Sequence, residues 1–170
     1  GDHYQGGIIA YILLPGDPGY VAGQTHGLIA AEADQTAYEG HGIEWATEPY
    51  WHTFVPGGTG TAIGTGSANT TKIVAQNGTG STYAAGLARA YNGGGYTDWF
   101  LPSKDELNKL YLNRAAIGGF HTAYREWPYY WGSSQYADDA GHAWSQPFDS
   151  GYEDYSDKYD PGRVRAVRAF

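Results

Sequence analysis

No cysteine occurs among the 170 residues, yet 26 of them are glycine. Disulfides, thiolate metal sites and cysteine nucleophiles are therefore excluded. A chain this rich in residues that permit tight turns must be held without covalent cross-links, and one domain spanning 1–170 is long enough to bury the core that requires. Aromatic residues make up 16 % of the chain, chiefly Tyr, which marks it as globular and loop-rich rather than disordered.

The ends read as strands and the middle as helices. Gly6 to Leu14 is an apolar, β-branched run closed by Pro15-Gly16-Asp17-Pro18-Gly19, the pattern of a buried strand ending in a turn. His26 to Ala31 is a second short strand, and Ala33 to Thr61 has no period and reads as loop. A helix capped by Ser67 or Asn69 should stop at Asn77-Gly78, and a second should run from Thr82 to Tyr91. The third is the best marked. Ser103-Lys104-Asp105-Glu106 is a capping box, in which the Ser hydroxyl takes one orphan amide and the Glu carboxylate reaches back to another. Short strands follow at Tyr129–Ser134, Ala143–Phe148 and Arg163–Phe170. The fold class is α+β, with two or three helices and most strands late.

A formal charge of −8 argues against a nucleic-acid or anionic-membrane surface, because both need clustered Lys and Arg. Arg163, Arg165 and Arg168 alternate with apolar residues and read as solvent-side or ion-paired strand residues. No apolar stretch is long enough to insert in a bilayer. The chain also lacks methionine, which points to a processed or engineered N-terminus and is compatible with signal-peptide removal. An extracellular or cell-surface location is the resulting expectation.

Gly94-Gly95-Tyr96-Thr97-Asp98-Trp99-Phe100-Leu101-Pro102-Ser103-Lys104-Asp105-Glu106-Leu107 resembles the Gly-Tyr-x-Asp-Trp-x-Leu-Pro-x-x-x-Glu-Leu signature of the bacterial Lcl C-terminal domains. Three further segments agree: His26 to Ala31, Tyr130-Trp131-Gly132-Ser133-Ser134, and Val164 to Arg168. The resemblance implies a single C-type-lectin-like domain, a fold shared with formylglycine-generating enzymes, in which N- and C-terminal strands pair and an irregular excursion builds the ligand face. Strand one and Val164–Phe170 would then be partners. Formylglycine-type oxidation is excluded, since it needs copper-binding cysteines.

Some relatives are variable proteins of diversity-generating retroelements, whose randomised adenines turn Asn codons into Tyr, Asp, Ser, His and Gly. Such residues crowd positions 129–163 here: Tyr136, Asp138, Asp139, His142, Ser145, Asp149, Tyr152, Asp154, Tyr155, Ser156, Tyr159 and Asp160. They sit between the apolar scaffold positions Trp131, Trp144, Phe148 and Val164. Tyr offers contact area at low entropic cost, while Ser and Asp adapt their hydrogen bonds, so these residues are the candidate ligand-binding set.

Other clusters carry less. Asp149, Glu153, Asp154, Asp157 and Asp160 form an acidic loop that could take calcium, though without EF-hand spacing, or simply favour basic ligands. His41, Glu44, Trp45, Trp51 and His52 could ligate a transition metal or do acid–base work, but lack a regular element to fix them, and Trp45 and Trp51 are better read as covering the core or a pocket edge. Trp99 and Trp131 read as core, and Asp98 as orienting a turn or meeting a buried amide. Ser133 and Ser134 sit in no nucleophile elbow, so no enzyme is expected. Asn69-Thr70-Thr71 and Asn77-Gly78-Thr79 are formal glycosylation sequons. The expected role is a recognition module for a protein or carbohydrate, an adhesin or display domain with no required cofactor. The alternative is a subunit or tip of an extracellular filament or pilus, self-associating through its exposed tyrosines.

Overall fold

The computed structural model describes residues 1–37 and 39–170. In chain order the regular elements are β1 (His3–Tyr4), β2 (Gly7–Ile12), β3 (Gly27–Ala30), α1 (Gly66–Asn77), α2 (Ala84–Ala90), α3 (Lys104–Leu112), α4 (Arg114–Ile117), β4 (Tyr129–Gln135), β5 (His142–Pro147), β6 (Asp154–Asp157) and β7 (Val167–Ala169). The strands make two antiparallel sheets, β1-β2-β3-β7 and β4-β5-β6. The α+β class is as expected. One more helix is present than expected, the single turn α4.

β3 and most of β4 are buried on both faces, and strand alternation divides the core in two. β3 sends Ile29 into a cluster with Trp45, Ile73, Trp99 and Trp131, while its neighbours Leu28 and Ala30 join Phe100, Leu107, Leu110, Tyr130 and Phe148. β4 does the same with Trp131 and Tyr130. Residues 162–167 tie the sheets together, because Gly162 bridges Ile43, Arg163 bridges Tyr130, and Val167 bridges Phe100. Trp99 and Trp131 are core residues, as their place in the sequence suggested.

α3 forms as its capping box dictates: Ser103 Oγ accepts from the Glu106 amide, and Glu106 Oε2 accepts from the Ser103 amide at 2.7 Å. Leu107 and Leu110 then face the core. Glu106 also takes the Gly64 amide at 2.8 Å, so one buried carboxylate anchors both α3 and the turn before α1. Gly66 is required there, since a Cβ would collide with Glu106 Oε2. α1 differs from expectation at its start. Its N-cap is Thr65, whose hydroxyl bonds back to Ala62 O, and neither Ser67 nor Asn69 caps it. Asn69 instead is buried, bonded to both polar groups of Gly60, which leaves its sequon closed to modification in the folded chain.

Three readings need correction. Strand one and the C-terminal strand share a sheet but are not neighbours; β3 lies between them, and Leu28, Ile29 and Ala30 take the ladder to β7. Asp154–Asp157 is a strand, hidden in sequence because it has no apolar alternation. The arginines are buried, which overturns their solvent-side reading, while the ion-paired alternative holds for two of them. Arg165 pairs with Asp34 at 2.7 Å and Arg168 with Asp98 at 2.7 and 2.9 Å, while Arg163 bonds the carbonyls of Gly40, Glu126 and Trp127. Asp98 is therefore an ion-pair partner. Buried guanidinium groups need this many acceptors to recover their lost hydration.

Candidate functional site

The register of β4-β5-β6 sorts the candidate residues onto opposite faces of one sheet. Trp144 stands across from Tyr155 and His142 from Asp157, whereas Ser145 stands across from Asp154 and Trp131, and Ala143 from Ser156. Directly opposed residues share a face and neighbours along a strand do not.

On the first face α3 covers one end. Asn108 Oδ1 accepts from Gln146 Nε2 at 2.9 Å, and Tyr111 packs on Phe148 at 5.5 Å. The helix begins at Lys104, whose ammonium sits 4.3 Å over the Trp144 ring and 3.7 Å from Glu153. Beyond it the sheet is open. Tyr136 and Tyr155 stack with centroids 4.2 Å apart, 18° from parallel, and both meet the Trp144 ring nearly edge-on, at 5.5 and 6.1 Å. His142 meets Tyr155 at 5.5 Å and is set between two carboxylates, Asp139 at 3.2 Å from Nδ1 and Asp157 at 3.1 Å from Nε2. The Gly141 amide, donating at 2.7 Å, holds Asp139 below the usual carboxylate range. Tyr159 extends the patch toward Trp51 and His52, and the charge of Asp157 pushes its phenol up.

The second face opens at the other end of the sheet. Trp127, Tyr129, Trp131, Ser145, Ser156 and Asp160 line a cavity of about 180 Å³. Trp127 and Tyr129 form its walls, with ring centroids 5.1 Å apart and tilted 45°. Ser145 and Ser156 share a hydrogen bond of 2.9 Å. Gly162 lets the Trp131 indole pack on its backbone, since a Cβ there would strike the ring. Trp127 adopts a left-handed backbone, φ 54°, which costs a bulky residue about 1–3 kcal/mol. Its indole is fixed by a 2.8 Å bond to Pro161 O and by the His41 ring at 4.9 Å. Asp160 is raised above the usual carboxylate range, first by lost hydration and then by Asp157.

The candidate set thus divides. Tyr136, Asp139, His142 and Tyr155 join in the first patch with Tyr159 at its flank; Ser145, Ser156 and Asp160 line the second cavity. Asp149 and Asp154 lie close enough to the Tyr129 hydroxyl to help hold it protonated, after burial and Tyr124. Asp138 and Tyr152 stand exposed in the turns either side of β5, Tyr152 at 77 % exposure. Trp144 is not a buried scaffold position but the centre of the first patch, whereas Trp131, Phe148 and Val164 are buried. Lys104, Trp127 and Tyr129 were not singled out from sequence. The family signature beside Lys104 and the paired aromatics at 127–131 were the available signals.

The other clusters do not assemble. Trp51 Nε1 donates to Glu44 at 3.2 Å and Trp45 is buried, while His41 rests on Trp127 and His52 on Tyr159. Among the described residues no group of three or more His, Asp or Glu converges as a metal site, and the acidic loop is split between the faces of the sheet. Among the described residues no helix is long and apolar enough to cross a membrane.

Residues 35–168 match the family defined as the Lcl C-terminal domain. The chain belongs to that family. The match takes in α1 through β6 and both open ends of the second sheet. Comparison with curated proteins gives no match. Within this Lcl C-terminal domain, the signature residues Asp98, Trp99 and Glu106 are structural: an ion pair, a core ring and a double cap.

Proposed function

We propose that this Lcl C-terminal domain is a non-enzymatic recognition module, extracellular or on a cell surface, that binds a protein or carbohydrate through Tyr136, His142, Trp144 and Tyr155. The observation that carries the reading is the open aromatic cluster on rigid strands, flanked by Asp139 and Asp157. Aromatic anchors held by a sheet lose little entropy on binding, and the carboxylates at their edge supply orientation. The lectin-like fold implied by the family resemblance fits a ligand face in this region. Diversification by a retroelement fits the Tyr, Asp and Ser content of both open ends, and would appear as variation confined to those positions among sibling sequences.

Light scattering joined to size exclusion, with calcium and with chelator, is the first test. Growth into large species as concentration rises would move the tyrosines into subunit contacts of a filament and sink the recognition reading. A constant small mass, with array binding to a protein or glycan that is lost in Trp144→Ala and Tyr155→Ala, supports it.

A further inference from the structure

The second cavity has a chemistry of its own. Its lining carries two tilted rings and the side-chain oxygens of Ser145, Ser156 and Asp160, and no Lys or Arg pairs with the Asp160 carboxylate among the described residues. Arg163 directs its Nε and Nη2 at the carbonyls of Gly40, Glu126 and Trp127 rather than at Asp160. Asp149 and Asp154 add negative potential at the Tyr129 side, in a chain of net charge −8. We propose that the cavity between Trp127, Tyr129 and Asp160 receives the ammonium group of a lysine side chain from a protein partner.

Three features select that group. About 180 Å³ is below the usual size of a small-molecule site, so it takes one side chain rather than an oligosaccharide. Ring faces attract a cation within about 6 Å of their centroids, the Trp127 and Tyr129 rings with centroids 5.1 Å apart both line this cavity, and so small a space suits a compact ammonium better than a planar guanidinium. An ammonium has three donors and no acceptor, and here Asp160, Ser145 and Ser156 offer oxygens to meet them. Lost hydration and then Asp157 raise the carboxylate's affinity for a proton, and an incoming cation would relieve both. The site lies on the face opposite Tyr155, so it does not rest on the role proposed for the aromatic patch.

The test is an NMR titration of the whole chain with Nα-acetyl-lysine methylamide, following the Trp127 indole N–H that bonds Pro161. The expected result is saturable movement of that resonance. Its uncharged analogue lacking the terminal amine, Nα-acetyl-norleucine methylamide, should leave it in place, and Asp160→Asn and Tyr129→Ala, each with circular dichroism matching the parent chain, should weaken binding about tenfold or more. Equal binding of the norleucine compound would make the cavity merely apolar, and unchanged affinity in both variants would place the ligand elsewhere. Either result, or no movement at ligand concentrations on the order of 0.1 M, overturns the proposal. Binding of n-butylammonium without binding of the lysine derivative would assign the cavity to free amines and overturn the protein partner.

Discussion

The ammonium of Lys158 is fully buried and lies 2.9 Å from the carbonyl oxygen of Thr53, with the Trp45 ring 4.8 Å away. No carboxylate pairs with it among the described residues. Lost hydration therefore pushes its pKa from the ordinary 10.5 down to about 8, against a weak pull from Asp139.

Stability should consequently rise with pH between about 8 and 10.5. In that window the unfolded chain holds the Lys158 proton and the folded chain does not, so the unfolded state binds more protons. Below about 8 this contribution is flat. Lys158→Met should unfold about 1–2 kcal/mol later than the parent at pH 7, because a buried cation is replaced by an apolar chain of similar length. Urea denaturation at pH 7 and pH 9.5 checks both points, and the upper limit stays below the region where half-buried Tyr11 and buried Tyr83, each raised to about 12, begin to destabilise the fold. A variant whose stability climbs with pH as steeply as the parent would clear Lys158 of the effect.

Tyr155 is 44 % exposed and contributes chiefly through its stack on Tyr136. Tyr155→Ala should cost about 1 kcal/mol, the worth of one half-exposed aromatic pair, and leave far-UV circular dichroism intact. A loss of 3 kcal/mol or more would mean that the ring supports β6 rather than a binding surface.

Glu106 holds the amides of Ser103 and Gly64, so Glu106→Ala strands two buried donors as well as the α3 cap. The expected loss is about 3 kcal/mol, against about 1–2 kcal/mol for Ser103→Ala, which removes one cap bond and the bond its hydroxyl donates to Ala62 O. Thermal melts of the two variants give the ratio.

The buried side chain of Arg165 meets Asp34, the carbonyls of Ala31 and Gly119, and the face of Phe120. Arg165→Met should cost about 4 kcal/mol by leaving Asp34 charged and buried, and adding Asp34→Asn should recover part of it. A double-mutant cycle measures that recovery; strict additivity would refute the pairing.

Local chemistry determined a good deal by itself. The Ser103–Glu106 box had to start a helix because its two reciprocal bonds lie within four residues. The run at Gly7–Ile12 had to be a strand because its β-branched side chains suit an extended chain closed by Pro and Gly. Trp99 and Trp131 had to be buried by size and hydrophobicity, and the Tyr, Asp and Ser content of 136–160 marked that stretch as a candidate surface. What only the tertiary structure decided was pairing and face. β6 could not be read from Asp-Tyr-Ser-Asp, because those residues become a strand only when β5 offers its edge. The place of β3 between β2 and β7 depends on contacts between residues far apart in the chain. Trp144 and Ser145 are neighbours in sequence yet serve different surfaces, since strand alternation sends them to opposite faces and α3 and Trp127 each close one end. Composition can mark a residue for the surface, but register, a property of three strands together, assigns it to the aromatic patch or to the cavity.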